Sequence, residues 1–235
     1  MQIVAFNSSP RDSQTSKTEL ILQKFLEGAR RAGASAETLY LRHYKINHCL
    51  GDFGCWFKTP GRCIQKDDMT GELFDRFLKA DLAVLATPLY HFNMNARMKA
   101  FIERTLPMVQ PVFVDEGGHT GHPSRFGIPR VVVISVCGFP EQAHFQALSL
   151  NMRMIFGDRL VAEIYRHSSE ALTAPPLQPQ VQQVLAAAAQ AGEEVVRDGA
   201  VSQTTLDRLS QDLAPREELM RRANEYFRAL LGGKS

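Results

Sequence analysis

The sequence predicts a doubly wound α/β domain: a five-stranded parallel sheet with helices on both faces and extra C-terminal helices. Three observations carry this. Gln2–Asn7, Asp81–Thr87 and Arg130–Cys137 are short, almost continuously apolar runs of Val, Ile, Leu and Ala, as strands covered on both faces are. Segments of helical period lie between them. The chain has 235 residues, 44% of them hydrophobic, enough to bury one substantial core without disulfides or metals.

Gln2–Asn7 is the first strand. Ser16 followed by Glu19 has capping-box spacing. Leu20, Ile21, Phe25, Leu26 and Ala29 then form one helical stripe that stops at Gly33. Ala36–Leu41 is mixed in polarity, as edge strands are. Leu73, Phe74, Phe77 and Leu78 mark a short helix before the Asp81–Thr87 strand. Met94, Met98, Phe101, Ile102 and Thr105 mark another, capped by Asn93 or Asn95. Pro111 to Pro129 is a long polar loop, of a length that tends to be functional or mobile. Arg130–Cys137 and the more mixed Leu160–Arg166 complete the five strands, and the alternation implies right-handed crossovers. Beyond Pro175-Pro176 the texture becomes helical. Val181–Arg197 is Ala-rich, and Pro215–Leu231 carries Leu219, Ala223, Tyr226, Phe227 and Leu230 on one face. The expected division is a ligand-binding domain over 1–170 and a helical extension over 171–235, packed on the same domain.

A net charge of +2 with well-mixed signs argues against a nucleic-acid partner, which calls for a basic stripe. No apolar run approaches the ~20 residues of a membrane span. Met1–Phe6 lacks the basic and apolar regions of a signal peptide. Four cysteines, three of them bunched, do not form a secreted disulfide framework. The expected compartment is the cytoplasm.

The segment Asn7–Thr18 follows the first strand, at the switch point where doubly wound sheets bind ligands. Helix-start amides, the hydroxyls of Ser9, Ser16 and Thr18, and the charges of Arg11 and Lys17 suit a phosphate monoester. The loop has neither Gly-x-Gly-x-x-Gly nor Gly-Lys-Ser/Thr, so a terminal phosphate fits better than a pyrophosphate or a triphosphate. On spacing alone, a polar connection whose Ser and Thr cap a helix fits equally well.

These residues bring a family into view. Ser9-Pro10-Arg11, then Ser16-Lys17-Thr18 leading into Phe25-Leu26-Glu27-Gly28-Ala29, resembles the NAD(P)H-dependent FMN reductase family, especially its branch akin to iron–sulfur flavoproteins. Ser8 stands where that family usually has Gly. The resemblance runs from Ile3 to about Arg104 and more loosely through Val131 to Tyr165. It implies a flavodoxin-like fold of strand order 2-1-3-4-5, and FMN phosphate binding by Ser9, Arg11, Ser16, Lys17 and Thr18.

After the third strand comes Thr87-Pro88-Leu89-Tyr90-His91-Phe92-Asn93-Met94. A flavin ring needs flat apolar walls and a few backbone donors. Pro88, Tyr90 and Phe92 can supply walls, and the loop backbone with Asn93 the donors. Thr-Pro-x-Tyr, here with Leu89 at x, lines the isoalloxazine in the resembling family. Gly138 allows close backbone approach after the fourth strand, while Cys137 reads as a buried small hydrophobe. Lys99, Glu103 and Arg104 read as a solvated helix face or an interface rim.

Cluster-bearing relatives carry Cys-x-x-Cys-x-x-Cys and a further Cys around a [4Fe–4S] centre. Cys49, Cys55 and Cys63 match three of those positions and Asp52 replaces the second. A carboxylate is a poor iron–sulfur ligand, so no intact cluster of that type is expected. Zinc held by His48 and the three thiols is an alternative, though the spacing is not that of a knuckle. The plainest expectation is a loop of free thiols able to form a reversible disulfide, with Trp56 and Phe57 packing over the flavin edge or into a partner subunit.

The expected function is an FMN-dependent oxidoreductase, with NADH or NADPH as donor. The expected acceptor is flavin, quinone, iron or a protein. A non-enzymatic FMN electron carrier is the alternative, and a scaffold that has lost FMN is a third reading. His91, His119 and His122 are candidates for contacting nicotinamide or substrate, and no catalytic acid or base is assigned. The resemblance also implies a homodimer or homotetramer.

Overall fold

The computed structural model describes residues 1–115 and 117–232. Strands β1 (Gln2–Asn7), β2 (Ser35–Tyr40), β3 (Leu82–Tyr90), β7 (Arg130–Val136) and β8 (Leu160–Arg166) form a parallel sheet ordered β2-β1-β3-β7-β8. That is the expected order 2-1-3-4-5. Short pieces lie outside it. β4 (Asn93–Met94) folds back antiparallel on β3, and β5 (Val114–Asp115) pairs with β6 (Thr120–Gly121) inside the long polar loop.

Strand side chains alternate between two cores, which is why the strands read as continuous apolar runs. Ile3 and Ala5 of β1, with Val84 and Ile134, face helices α1 (Lys17–Arg31) and α6 (Gln178–Arg197). Val4 and Phe6, with Leu85 and Val133, face α3 (Phe74–Lys79), α4 (Ala96–Glu103) and α5 (Gln146–Phe156). α1 and α6 meet at two glycines. A Cβ on Gly28 would lie 1.7 Å from the Ala189 carbonyl oxygen, and one on Gly192 1.9 Å from that of Phe25.

The remaining helices are α2 (Gly54–Phe57), α7 (Gln203–Ser210) and α8 (Arg216–Gly232). Leu219 of α8 packs against the first core, whereas Tyr226, Phe227, Leu230 and Leu231 are exposed. Its apolar face therefore exists, and the other described residues leave it uncovered. No helix among the described residues is long and apolar enough to cross a membrane.

The third strand departs from expectation. It runs to Tyr90, so Pro88 and Leu89 are strand residues, Pro88 paired with Val136. Met94 belongs to β4, and α4 begins at Ala96 behind an Asn95 cap, which accepts from the Met98 amide at 3.1 Å.

Candidate functional site

From β1 the chain passes to β2 on one side and β3 on the other, so the crevice at their carboxyl ends is the topological switch point. The loop after β1 is pinned there from below. The Ser8 amide donates to the Ala86 carbonyl at 2.9 Å, and Asn95 Nδ2 donates to the Ser8 carbonyl at 2.7 Å. The Ser9 amide donates to Asn7 Oδ1 at 2.8 Å. Asp12 Oδ1 accepts from the amides of Gln14 and Thr15 at 3.0 and 2.9 Å, folding the outer half of the loop into an Asx turn.

Ser16 caps α1 as its spacing predicts: its Oγ accepts from the Glu19 amide at 3.1 Å and donates to Ser9 Oγ at 2.8 Å. The box is only half formed. Glu19 turns inward, and its buried carboxylate accepts from Asn7 Nδ2 at 2.5 Å, Tyr40 Oη at 2.7 Å and Gln23 Nε2 at 2.8 Å. It thereby ties the ends of β1 and β2 to α1. Burial, then the Glu19 carboxylate, push the Tyr40 phenol up to about 12.

Thus Ser9, Ser16 and Thr18 are buried at the loop base. The two cations reach the far end of the sheet. Arg11 Nη1 lies 3.1 Å from Glu170 Oε1, both side chains more than half exposed, and Lys17 Nζ donates to Thr173 Oγ1 at 3.2 Å. Such an open pair contributes at most about 1 kcal/mol, so it yields readily to a stronger anion.

Pro88, read as a possible wall for a flavin ring, is buried at the end of the sheet, and Leu89 is half-buried. Beyond them Tyr90, His91, Phe92 and Asn93 make a two-residue hairpin, with φ of 48° at His91 and 63° at Phe92. Two successive non-glycine residues in the left-handed region are strained by ~1–3 kcal/mol each, a pattern that clusters at ligand clamps. The Asn93 side chain is turned locally, accepting from the Met94 amide at 2.8 Å. Tyr90 and Phe92 stand 47% and 48% exposed at the crevice rim, and the Phe92 ring stacks on Phe139 at 6.2 Å. His144 closes this cluster, 4.4 Å from Phe139.

Cys137 is buried, as expected, and burial pushes its thiol up to about 11. A Cβ on Gly138 would meet just Glu170 Cγ, at 3.9 Å, so that backbone faces open space. The chain after β8 is strapped to this turn: the Ser168 amide donates to the Phe139 carbonyl at 2.7 Å and the Ser169 amide to that of Cys137 at 2.8 Å. Arg166, fully buried, donates to the carbonyls of His167, Leu209 and Gln211 at 2.6 to 3.0 Å. It satisfies the C-terminus of α7, where a cation is favoured, although burial pulls it down to about 10. His167 beside it is held below its usual range by burial and then by the Arg166 charge.

The cysteine loop lies against α4. Arg104 is the clearest correction: it is not on a solvated face but 1% exposed, with Asp67 at 0%. Its guanidinium grips the Asp67 carboxylate at 2.6 and 2.9 Å, and donates to the Asn47 carbonyl and Thr70 Oγ1, each at 2.9 Å. Burial pushes Asp67 up, but Arg104 and the amides of Asn47 and Thr70 more than offset it, leaving the carboxyl below its usual range. Asp52, in place of a cysteine, accepts from the Gly54 amide at 2.8 Å and starts α2. Trp56 stacks on Phe53 and leans on His122, each at 5.1 Å, while Phe57 is exposed. All four cysteines are free. Among the described residues no group of three or more His, Cys, Asp and Glu side chains is arranged to hold a metal. Cavities open beside Cys63 and Arg104 (about 150 Å³) and along the free edge of β8 (about 630 Å³). The loops after β1 and β3 line neither.

The start of α1 and the buried Ser9, Ser16 and Thr18 thus lie at one end of the crevice, and Arg11 and Lys17 reach from there to the segment after β8. The other rim carries the exposed rings of Tyr90 and Phe92. That donor set fits a ligand with a dianionic tail and a flat ring. Fold and site together define a flavodoxin-like protein. The chain belongs to the NADPH-dependent FMN reductase family, whose model matches residues 1–122. An iron–sulfur flavoprotein of Archaeoglobus fulgidus is 36% identical over 107 residues, 46% of each chain. An FMN-dependent NADH:quinone oxidoreductase of Nostoc punctiforme is 27% identical over 128 residues, 52% of this chain and 62% of that one. The chain spans about half the length of the curated relatives it matches. In fold it is similar to an FMN-dependent NADH-azoreductase of Bacillus anthracis, with a TM-score of 0.61 at 13% identity over 84% of this chain and 100% of that one.

Proposed function

We propose that this protein binds FMN at the switch-point crevice and is an NAD(P)H-dependent oxidoreductase passing electrons to flavin, a quinone, iron or a protein acceptor. One observation carries the reading: the phosphate-type loop after β1 and the strained aromatic hairpin after β3 converge at adjacent strand ends in a chain of this family. Relatives named for FMN-dependent quinone reduction support the same activity.

Bound FMN supplies the hydride and electron chemistry; the protein positions it. Ser9, Ser16 and Thr18, with the free amides opening α1, hold the phosphate, and Arg11 and Lys17 neutralise it. Tyr90 and Phe92 flank the ring, Pro88 and Leu89 fix the hairpin that carries them, Asn93 sets its register, and Gly138 leaves the opposite backbone open. Residues 1–170 form the flavin domain in this reading and 171–235 its helical extension, which the packing of α6 on the first core supports. A cytoplasmic homodimer or homotetramer accords with the uncovered apolar face of α8.

The test is the visible spectrum of the purified protein, followed by nicotinamide oxidation with quinone, flavin and ferric acceptors, with and without added FMN. Flavin bands and acceptor-dependent turnover are expected. Protein that stays colourless after reconstitution rejects the reading. Arg11→Ala removes a charge-assisted hydrogen bond of about 1.5–3 kcal/mol, so FMN should dissociate roughly 10- to 100-fold more readily.

A further inference from the structure

The flavin reading does not use the cysteine loop, where one cavity and one unsatisfied cation coincide. Cys63 and Arg104 line the same 150 Å³ cavity, with Gly61, Gly71, Phe74 and Phe126 among its walls. Arg104 is buried and spends both terminal nitrogens on Asp67, Asn47 and Thr70, yet its Nε has no partner. A buried N–H left unpaired costs ~1–3 kcal/mol unless something occupies the space before it. Cys63 lines this space with it, beside Arg62, Thr70 and Asp75, and is half-exposed and so reachable from solvent.

A second thiol is held close. The segment from Cys55 to Cys63 closes on itself: the Gly61 amide donates to the Cys55 carbonyl at 3.0 Å, and the Arg62 amide to that of Thr59 at 2.9 Å. Gly61 has φ of 86°, and a Cβ there would lie 2.9 Å from Arg125 Cδ and 3.0 Å from the Phe126 ring, so the turn fits only glycine. Burial, then the neighbouring Cys63 and Cys49, push the Cys55 thiol up.

We propose that Cys63 is a hydroperoxide-reactive thiol, its thiolate and sulfenate facing the Arg104 guanidinium, and that Cys55 resolves it to a Cys55–Cys63 disulfide. Cys63 sulfur attacks the distal oxygen of a hydroperoxide ROOH. The O–O bond breaks, RO⁻ leaves and takes a proton as ROH, and sulfur is oxidised to Cys63–SOH. Cys55 sulfur then attacks that sulfur, and the hydroxyl leaves with the Cys55 proton as water. Two thiols and one ROOH yield one disulfide, ROH and H2O. Arg104 is a positioning residue: its charge favours the anionic sulfur and its free Nε–H the new oxygen.

The reaction has a built-in reporter, since the chain's single tryptophan is Trp56, next to Cys55. Reduced, full-length protein would be treated with stoichiometric hydrogen peroxide. Tryptophan emission would be followed, and the thiols mapped by mass spectrometry with and without a sulfenic-acid trap. A Cys55–Cys63 linked peptide, a change in emission and reversal of both by dithiothreitol are expected. In Cys55→Ser the trap should mark Cys63 at least tenfold over Cys49 and Cys137, and in Cys63→Ser the emission change should vanish. Arg104→Lys should slow the first step several-fold while circular dichroism stays native. Even labelling of Cys49 and Cys63, a Cys49-linked disulfide, or iron found bound to these thiols in the purified protein would overturn the proposal.

Discussion

Burial decides what single charged residues do in this molecule. His167 is enclosed, with Nδ1 2.9 Å from Ser168 Oγ and Nε2 2.9 Å from the Ser210 carbonyl, and Arg166 presses a second cation on it. The exposed Asp212 carboxylate, 3.4 Å from Nε2, opposes that only weakly. The folded state therefore keeps the imidazole neutral to lower pH than the unfolded chain does. The unfolded state binds the extra proton, so this contribution to stability is whole above about pH 6.5 and is lost as pH falls below it, by up to about 1.36 kcal/mol per unit. Unfolding temperatures between pH 7.5 and 5.5 should fall less steeply in His167→Gln than in the parent. Arg104 shows what the sequence hid. It lies three residues beyond Phe101 and so on the buried side of α4, but Lys99 and Glu103 beside it made the stretch read as solvated. Its partner Asp67 comes from a distant segment, and no local pattern announces such a pair. Ser16 and Cys137, by contrast, were legible because a cap and a small thiol act locally.

Among the elements, the α1–α6 crossing is the least forgiving. Either glycine there admits no Cβ without moving backbone, so Gly192→Ala should cost about 3 kcal/mol and lower the melting temperature by roughly 10 °C. α8 is the opposite case: residues 220–232 are all exposed. Deleting the chain from Met220 onward should move the melting temperature of the monomeric fold by no more than about 2 °C. The central strands were legible because both faces are buried. The end of β3 was not, because Pro88 reads as a break, although here it sits where the ladder is about to turn. α5 was not delimited either. Leu148, Met152 and Phe156 form its buried stripe, but the exposed Leu150 and Met154 blur the period.

For the whole molecule, the layered sheet brings the ends of four strands to one edge of the domain and binds them into a single platform. The loops after β7 and β8 are joined by backbone bonds, and the loop after β1 is fixed through Asn95 to the start of α4. The doubly wound sheet was readable in advance from the alternation of periods, and its strand order from the family resemblance. The long-range ties were not, since they join distant residues, Arg11 and Glu170 lying 159 positions apart.

One of those ties has its own consequence. The Glu170 carboxylate pairs with the Arg11 guanidinium, so in the proposed function the FMN phosphate has a resident competitor to displace. In that reading a tethered carboxylate mimics the guest, and its displacement uncouples the last loop from the first. Glu170→Gln should therefore tighten FMN binding several-fold, most visibly at low ionic strength, as titration by flavin fluorescence would reveal.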